Sequence, residues 1–249
     1  MKLTIVGCAG TFPGPTSACS SYLLEHDGFH LLIDAGNGST GALQKSVGLL
    51  DLDAILISHM HGDHFLDLVT YTYARRYHPD GNPACLPVHG PSDVADHVAA
   101  AFGRPVQDLL DAVYEFHPAT GPGTIHLGPF TIERERVNHP VETYAARISA
   151  GGRTLAYSAD TGVCDELVKI AHEADLFLCE ASYLDGDDNP PDIHLTGREA
   201  AEHATRAGVH KLVLTHLVPW GDAARTLDEA TAVFDGDLAV AAPGAVFDI

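Results

Sequence analysis

Four side chains suited to binding a transition metal fall within six residues, His59-Met60-His61-Gly62-Asp63-His64, directly after the apolar run Ala54-Ile55-Leu56-Ile57. Imidazole and carboxylate suit Zn, Mn or Fe. Alternate residues at a strand end aim His59 and His61 at one point, while Asp63 and His64, one helical step on, face a neighbouring point. Core packing does not account for so many ligand-type side chains in so short a span. Two ions about 3.5–4 Å apart need more ligands than this motif holds, with room left for water. Three further residues follow strand-like runs: His139 after 131–137, Asp160 after Tyr157-Ser158-Ala159, and His216 after 212–215. Taken alone, His139 and His216 read equally as packed or solvated histidines.

In this order the motifs resemble those of the metallo-β-lactamase fold superfamily, and they are spread over nearly the whole chain. The resemblance implies an α/β fold, a four-layer αββα sandwich, as a single hydrolase domain over residues 1–249. It implies one ion on His59, His61 and His139, a second on Asp63, His64 and His216, and Asp160 bridging the two. The implied cofactors are thus two divalent ions, Zn first, with Mn or Fe as alternatives.

Asp192-Ile193-His194-Leu195-Thr196-Gly197-Arg198-Glu199-Ala200-Ala201 and the preceding Cys179-Glu180-Ala181-Ser182 are similar to segments of the tRNase Z-like branch. There the additional His donates a proton and the Glu orients it. Carried over, His194 protonates the leaving alkoxide and Glu180 holds its tautomer; without the resemblance, His194 is simply a residue preceding a helix capped by Thr196. A phosphodiesterase follows, with a hydroxide between the two ions as nucleophile and Asp63 orienting it as well as binding metal. An alkoxide leaving group requires an acid, whereas a lactamase or thioesterase has less use for one.

The tRNA-processing members of that branch grip their substrate with a protruding arm, which no interval here is long enough to hold. Their early Pro-rich loop is basic, whereas 12–20 carries no Lys or Arg. The features Arg75-Arg76-Tyr77-His78-Pro79, Gly90-Pro91-Ser92-Asp93, Ala156 through Gly162, Phe177 through Ser182, and Leu214-Thr215-His216 with Pro219-Trp220 resemble actinobacterial atypical class II cyclic-nucleotide phosphodiesterases. That resemblance implies a small phosphodiester substrate, with hydrolysis of 3′,5′-cyclic AMP to 5′-AMP, and a homodimer. The alternatives are RNA 3′ processing on tRNA, a thioesterase or lactonase of the same fold, and a metal-binding scaffold without catalysis.

Composition bounds these readings. Lys and Arg number 14 against 34 Asp and Glu, a formal charge of −20, with 16 His. Broad capture of polyanions by a basic face is disfavoured. No run of 18 apolar residues exists to span a bilayer, and the N-terminus enters a strand-like run without a signal-peptide pattern. The five cysteines are scattered and unpaired by motif, which fits a reducing cytoplasm.

The elements that must hold the site read as two runs of strands, each passing into alternating helices and strands. Two face-to-face sheets with helices outside would bury that pattern. A helix after the metal motif carries Phe65, Leu68, Val69, Thr72 and Tyr73 at helical spacing; Tyr73 and Tyr77 are read as core and Arg75 and Arg76 as solvated, the alternative being that they stack a base or touch phosphate. A helix over 92–102 opens with a Ser/Asp cap, and 185–192 is an acidic surface loop. Trp220 is read as packed structurally or as lining the mouth of the pocket and stacking on a purine.

Overall fold

The computed structural model describes residues 1–80, 84–110 and 113–249. The first half runs β1 (Lys2–Ala9), β2 (Ala18–Cys19), β3 (Ser21–His26), β4 (Phe29–Ile33), α1 (Ser39–Leu43), β5 (Ala54–Leu56), α2 (Gly62–Phe65), α3 (Asp67–Arg76), β6 (Leu86–Gly90), α4 (Val94–Phe102), α5 (Val106–Leu110) and β7 (Tyr114–Pro118). The second runs β8 (Gly123–Leu127), β9 (Phe130–Arg136), β10 (Tyr144–Ala150), β11 (Arg153–Tyr157), α6 (Asp165–Ala171), β12 (Leu176–Glu180), α7 (Gly197–Ala207), β13 (Lys211–Thr215), α8 (Ala223–Thr231), β14 (Asp237–Val240) and β15 (Val246–Asp248). One sheet is ordered β15-β1-β3-β4-β5-β6-β7, with β2 beside β1; the other is ordered β14-β13-β12-β11-β10-β9-β8.

Both sheets are mixed, and strand periodicity explains the four layers. In β3 and β4, Leu24 and Leu31 face the second sheet with Ile5, Ile148 and Leu178, while Leu23 and Leu32 face the helices with Leu68, Val94 and Val98. Successive residues of a strand point to opposite faces, so each apolar pair feeds two cores. The parallel strand β12, Leu176-Phe177-Leu178-Cys179-Glu180, is buried throughout. Its apolar run lies between the inter-sheet core and a third core formed with Leu167, Ala200 and Ala204 of α6 and α7. This is the αββα sandwich expected from the motifs.

Parallel pairing places the functional ends together. β11, β12 and β13 pair in parallel register, Tyr157 with Leu178 and Glu180 with Thr215. Asp160, Glu180 and His216 therefore emerge at one rim. The parallel pair β4–β5 brings Asp34 to the rim beside Ser58 and His59.

Several sequence expectations are corrected. In α3 the buried face carries Leu68, Tyr71, Thr72 and Arg75, whereas Tyr73 and Tyr77 are 52% and 71% exposed. Leu66 keeps helical backbone angles between α2 and α3, and the stripe that runs from Phe65 through Leu68 and Thr72 reaches Arg75, leaving Tyr73 beside it. Arg75 donates from Nη2 to the Ala84 carbonyl at 2.7 Å, and only Arg76 is the solvated residue expected. The helix read over 92–102 starts at Val94, and its N-cap Asp93 makes no side-chain capping bond. Ser92 instead bonds Glu142. Strands β2, β7, β8 and β15 fall outside the strand-like runs of the sequence; β15 pairs antiparallel with β1. Among the described residues no helix is long and apolar enough to cross a membrane.

One glycine couples the fold to the motif. A Cβ on Gly36 would lie 2.0 Å from the Asp63 carbonyl oxygen and 2.6 Å from Cys19 Cβ. Ala35 N–H, next to it, donates to the His64 carbonyl at 2.7 Å. Gly36→Ala must push α2 outward, at an expected cost of about 1–3 kcal/mol for overpacking. Urea unfolding measures that loss. A variant with unchanged stability would show that the turn can yield.

Candidate metal centre

The residues of the HxHxDH motif reach the rim in two ways. His59 lies in the extended segment after β5, and His61 is the extended residue preceding α2, with φ −73° and ψ 144°. Asp63 and His64 occupy α2 itself. His139 lies in the turn after β9, Asp160 follows β11, and His216 follows β13. Ala159 and His216 have φ of 54° and 58°, so left-handed turns redirect the chain where the ligand-type side chains point inward.

These residues form two groups. The candidate ligand atoms of His59, His61, His139 and Asp160 lie within 4.8 Å of one another, as do those of Asp63, His64, Asp160 and His216. Asp160, 2% exposed, belongs to both. Within the first, His139 Nε2 is 3.1 Å from His61 Nδ1. Within the second, His216 Nε2 is 3.2 Å from His64 Nε2 and 3.1 Å from Asp63 Oδ2.

The donor set fits metal. Nitrogens bound to one tetrahedral Zn at about 2.0–2.1 Å are about 3.3–3.4 Å apart, near the separations seen here. His59 Nε2 and Asp160 Oδ1 are buried with no hydrogen-bond partner, an expensive arrangement for groups that nothing ligates. Burial holds His59, His61 and His139 below the usual imidazole range, which favours the neutral form that a metal requires.

The other ring nitrogens are held by the protein. His139 Nδ1 donates to the Ile193 carbonyl at 2.9 Å. His216 Nδ1 lies 2.7 Å from Ser182 Oγ, whose hydroxyl donates to the His216 carbonyl. His59 Nδ1 lies 3.0 Å from Ser58 Oγ, which donates to Asp34 Oδ2 at 2.8 Å. His64 Nδ1 bonds the same Asp34 oxygen at 2.8 Å, and Tyr157 Oη donates to it at 2.6 Å. These bonds leave the Nε2 lone pairs of His59, His64, His139 and His216 for the two groups.

Asp34 thereby orients one histidine of each group, and sequence reasoning missed it. Its one signal was position: an acid ending an apolar strand, as Asp160 does. In Asp34→Ala, Ser58, His64 and Tyr157 lose their common acceptor. Metal affinity is expected to fall about 10–100-fold, as for other residues that orient ligating histidines. Competition with a chromogenic chelator measures it; a change below twofold would remove Asp34 from this role.

His194 and Glu180 meet beside the second group. Glu180, 1% exposed, accepts from Thr161 N at 2.8 Å, Ser182 N at 3.2 Å and His194 Nδ1 at 2.9 Å. Burial opposes the His194 imidazolium, but the Glu180 carboxylate outweighs it and its pKa is pushed up to about 9. A capping box fixes the start of α7 two residues on: Thr196 Oγ1 accepts from Glu199 N, and Glu199 accepts from Thr196 N. The 185–192 loop is exposed as expected, and Asp192 accepts from Asn138 beside His139.

Comparison with known proteins agrees with this geometry. The beta-lactamase superfamily domain profile matches residues 30–217. An uncharacterized protein of Mycobacterium tuberculosis is 41% identical over 241 residues, covering 95% of this chain and 88% of that protein. The ribonuclease Z of Mycobacterium bovis is 30% identical over 247 residues, covering 88% and 86%. The crystal structure of the metallo-beta-lactamase fold protein YhfI from Bacillus subtilis superimposes with a TM-score of 0.89 at 31% identity, covering 99% of both chains. With that profile spanning the rim residues from Asp34 to His216, the chain belongs to the beta-lactamase superfamily, as a metal-dependent hydrolase of that fold with two candidate metal clusters sharing Asp160.

Proposed function

We propose that the chain is a binuclear metal-dependent phosphodiesterase. The observation that carries this reading is the Glu180–His194 pair set beside two ligand groups that share one carboxylate. In it, His59, His61 and His139 would hold one ion, Asp63, His64 and His216 would hold the other, and the Asp160 carboxylate, common to both groups, would serve both. When bound, such ions neutralise a phosphate's non-bridging oxygens and activate water; Zn suits the nitrogen-rich donors, and Mn or Fe are compatible. Asp63, which also accepts from Thr11 N–H at 2.8 Å, is positioned to orient that water. His194 donates its proton to the departing oxygen, with Glu180 keeping Nδ1 protonated so that Nε2 serves as the acid atom. Cys8, Cys19, Cys164 and Cys179 form no disulfide, which suits a cytoplasmic setting.

Two substrates draw support from different observations. Similarity to ribonuclease Z supports RNA 3′ processing, and this is the better supported of the two. A 3′,5′-cyclic nucleotide is supported by the charge of −20, unfavourable for a large polyanion. A panel of precursor tRNA, cyclic AMP and a thioester, given to protein purified without chelator, tests both. Two equivalents of bound metal are expected, with cleavage of a phosphodiester. Less than one equivalent, or rapid thioester cleavage with both phosphodiesters untouched, would overturn the assignment.

A further inference from the structure

Trp220 is the single tryptophan of the chain, and it is 77% exposed. Its ring lies against Phe12, with centroids 4.4 Å apart and planes inclined by 31°. An indole costs more than most side chains to leave in water, and this one is exposed beside a site rich in ligand-type groups.

Both rings sit on segments tied to that site. Thr11, next to Phe12, donates its N–H to Asp63 Oδ2. Gly10 N–H donates to the Leu217 carbonyl at 3.0 Å, and Gly10 is so close to His216 that a Cβ would lie 2.4 Å from the His216 carbonyl oxygen. Gly14 packs on Pro219, with a Cβ position 3.2 Å from the proline Cβ. Backbone contacts on both sides thus fix the pair beside Asp63 and His216. Neither 10–20 nor 217–222 contains Lys or Arg, so these segments offer a substrate ring faces and no cations.

We propose that Phe12 and Trp220 form a platform on which a nucleobase of the substrate stacks while its phosphate lies over the two ligand groups. This rests on the phosphodiesterase reading and adds the determinant that selects a nucleotide among phosphodiesters. A base stacks on an aromatic face whatever its hydrogen-bonding edge, so the platform tolerates different bases. The base can belong to a mononucleotide or to an RNA end.

Because Trp220 is the sole tryptophan, emission from the zinc-loaded protein reports on this platform alone. AMP is expected to change the emission saturably, while ribose 5-phosphate, measured by calorimetry, binds and leaves it unchanged. Phe12→Ala and Trp220→Ala should each weaken AMP binding about 10-fold or more, with ribose 5-phosphate affinity held within about twofold and Trp220→Tyr close to wild type. Equal affinity for AMP in wild type and Trp220→Ala overturns the platform alone. Failure of both probes to bind overturns the phosphodiester reading and the platform with it. A single-stranded RNA trinucleotide separates the sources: tighter binding than AMP, lost in Trp220→Ala, assigns the base to a polymer, and no gain over AMP assigns it to a mononucleotide. RNA binding insensitive to Trp220 counts against the platform.

Discussion

Replacing Asp160 by Ala is expected to strip the protein of metal and to lower hydrolysis by more than about 10³-fold, since losing one preorganised electrostatic contact already costs about 10²–10³-fold. Asp160 alone belongs to both ligand groups. Its carboxylate is 3.6 Å from His59 Nε2, 3.2 Å from His64 Nε2 and 3.4 Å from His216 Nε2. Removing it leaves neutral imidazoles around two dications with one anionic ligand, Asp63, in place of two. Asp160→Asn preserves shape without charge and should resemble Asp160→Ala in metal content. Atomic absorption on freshly purified protein and urea unfolding separate metal loss from misfolding. A folded Asp160→Ala protein that kept two equivalents and a tenth of the activity would sink the shared-ligand arrangement.

The ligand-type residues were legible because strand ends are legible. An apolar run followed abruptly by His or Asp marks a chain leaving the core, and the parallel order of β11, β12 and β13 brings such ends to one rim. Asp34 was hidden by the same logic. It ends a strand too, yet its partners come from three other segments: Ser58 after the neighbouring strand β5, His64 in α2, and Tyr157 on the opposite sheet. Helix phase was the other loss. Tyr71 and Tyr73 flank the stripe through Leu68, Thr72 and Arg75 on opposite sides, and apolar character alone does not choose between them. The capping expectation at 92–93 failed because the Ser92 hydroxyl has a competing acceptor in Glu142, 50 residues away.

Substrate is harder to read than ligation, because ligands are fixed by donor chemistry while selectivity depends on surfaces of ordinary composition. The net charge illustrates this. A total of −20 describes the whole molecule, whereas a substrate meets a rim where two carboxylates face five imidazoles. With two ions bound, that rim would be locally positive within an acidic protein.

His194→Ala is expected to lower the turnover of a substrate with an alkoxide leaving group by about 10²–10⁴-fold, the usual contribution of a positioned acid. A nitrophenyl phosphodiester, whose leaving group departs without a proton, should lose less than about 10-fold, since it never needed that acid. The difference separates proton donation from ligation or folding, either of which would lower both rates together. His194 adjoins the second group, with its ring centroid 5.4 Å from that of His216, so metal content must be measured alongside. Glu180→Gln supplies the intermediate case: an amide oxygen can still accept from Nδ1, but it no longer offers a charge to stabilise the imidazolium. Its loss should be smaller, about 10–100-fold, and carry the same dependence on leaving group. Equal losses on both substrates in His194→Ala, with two equivalents of metal retained, would take the proton away from His194 and leave water as the donor.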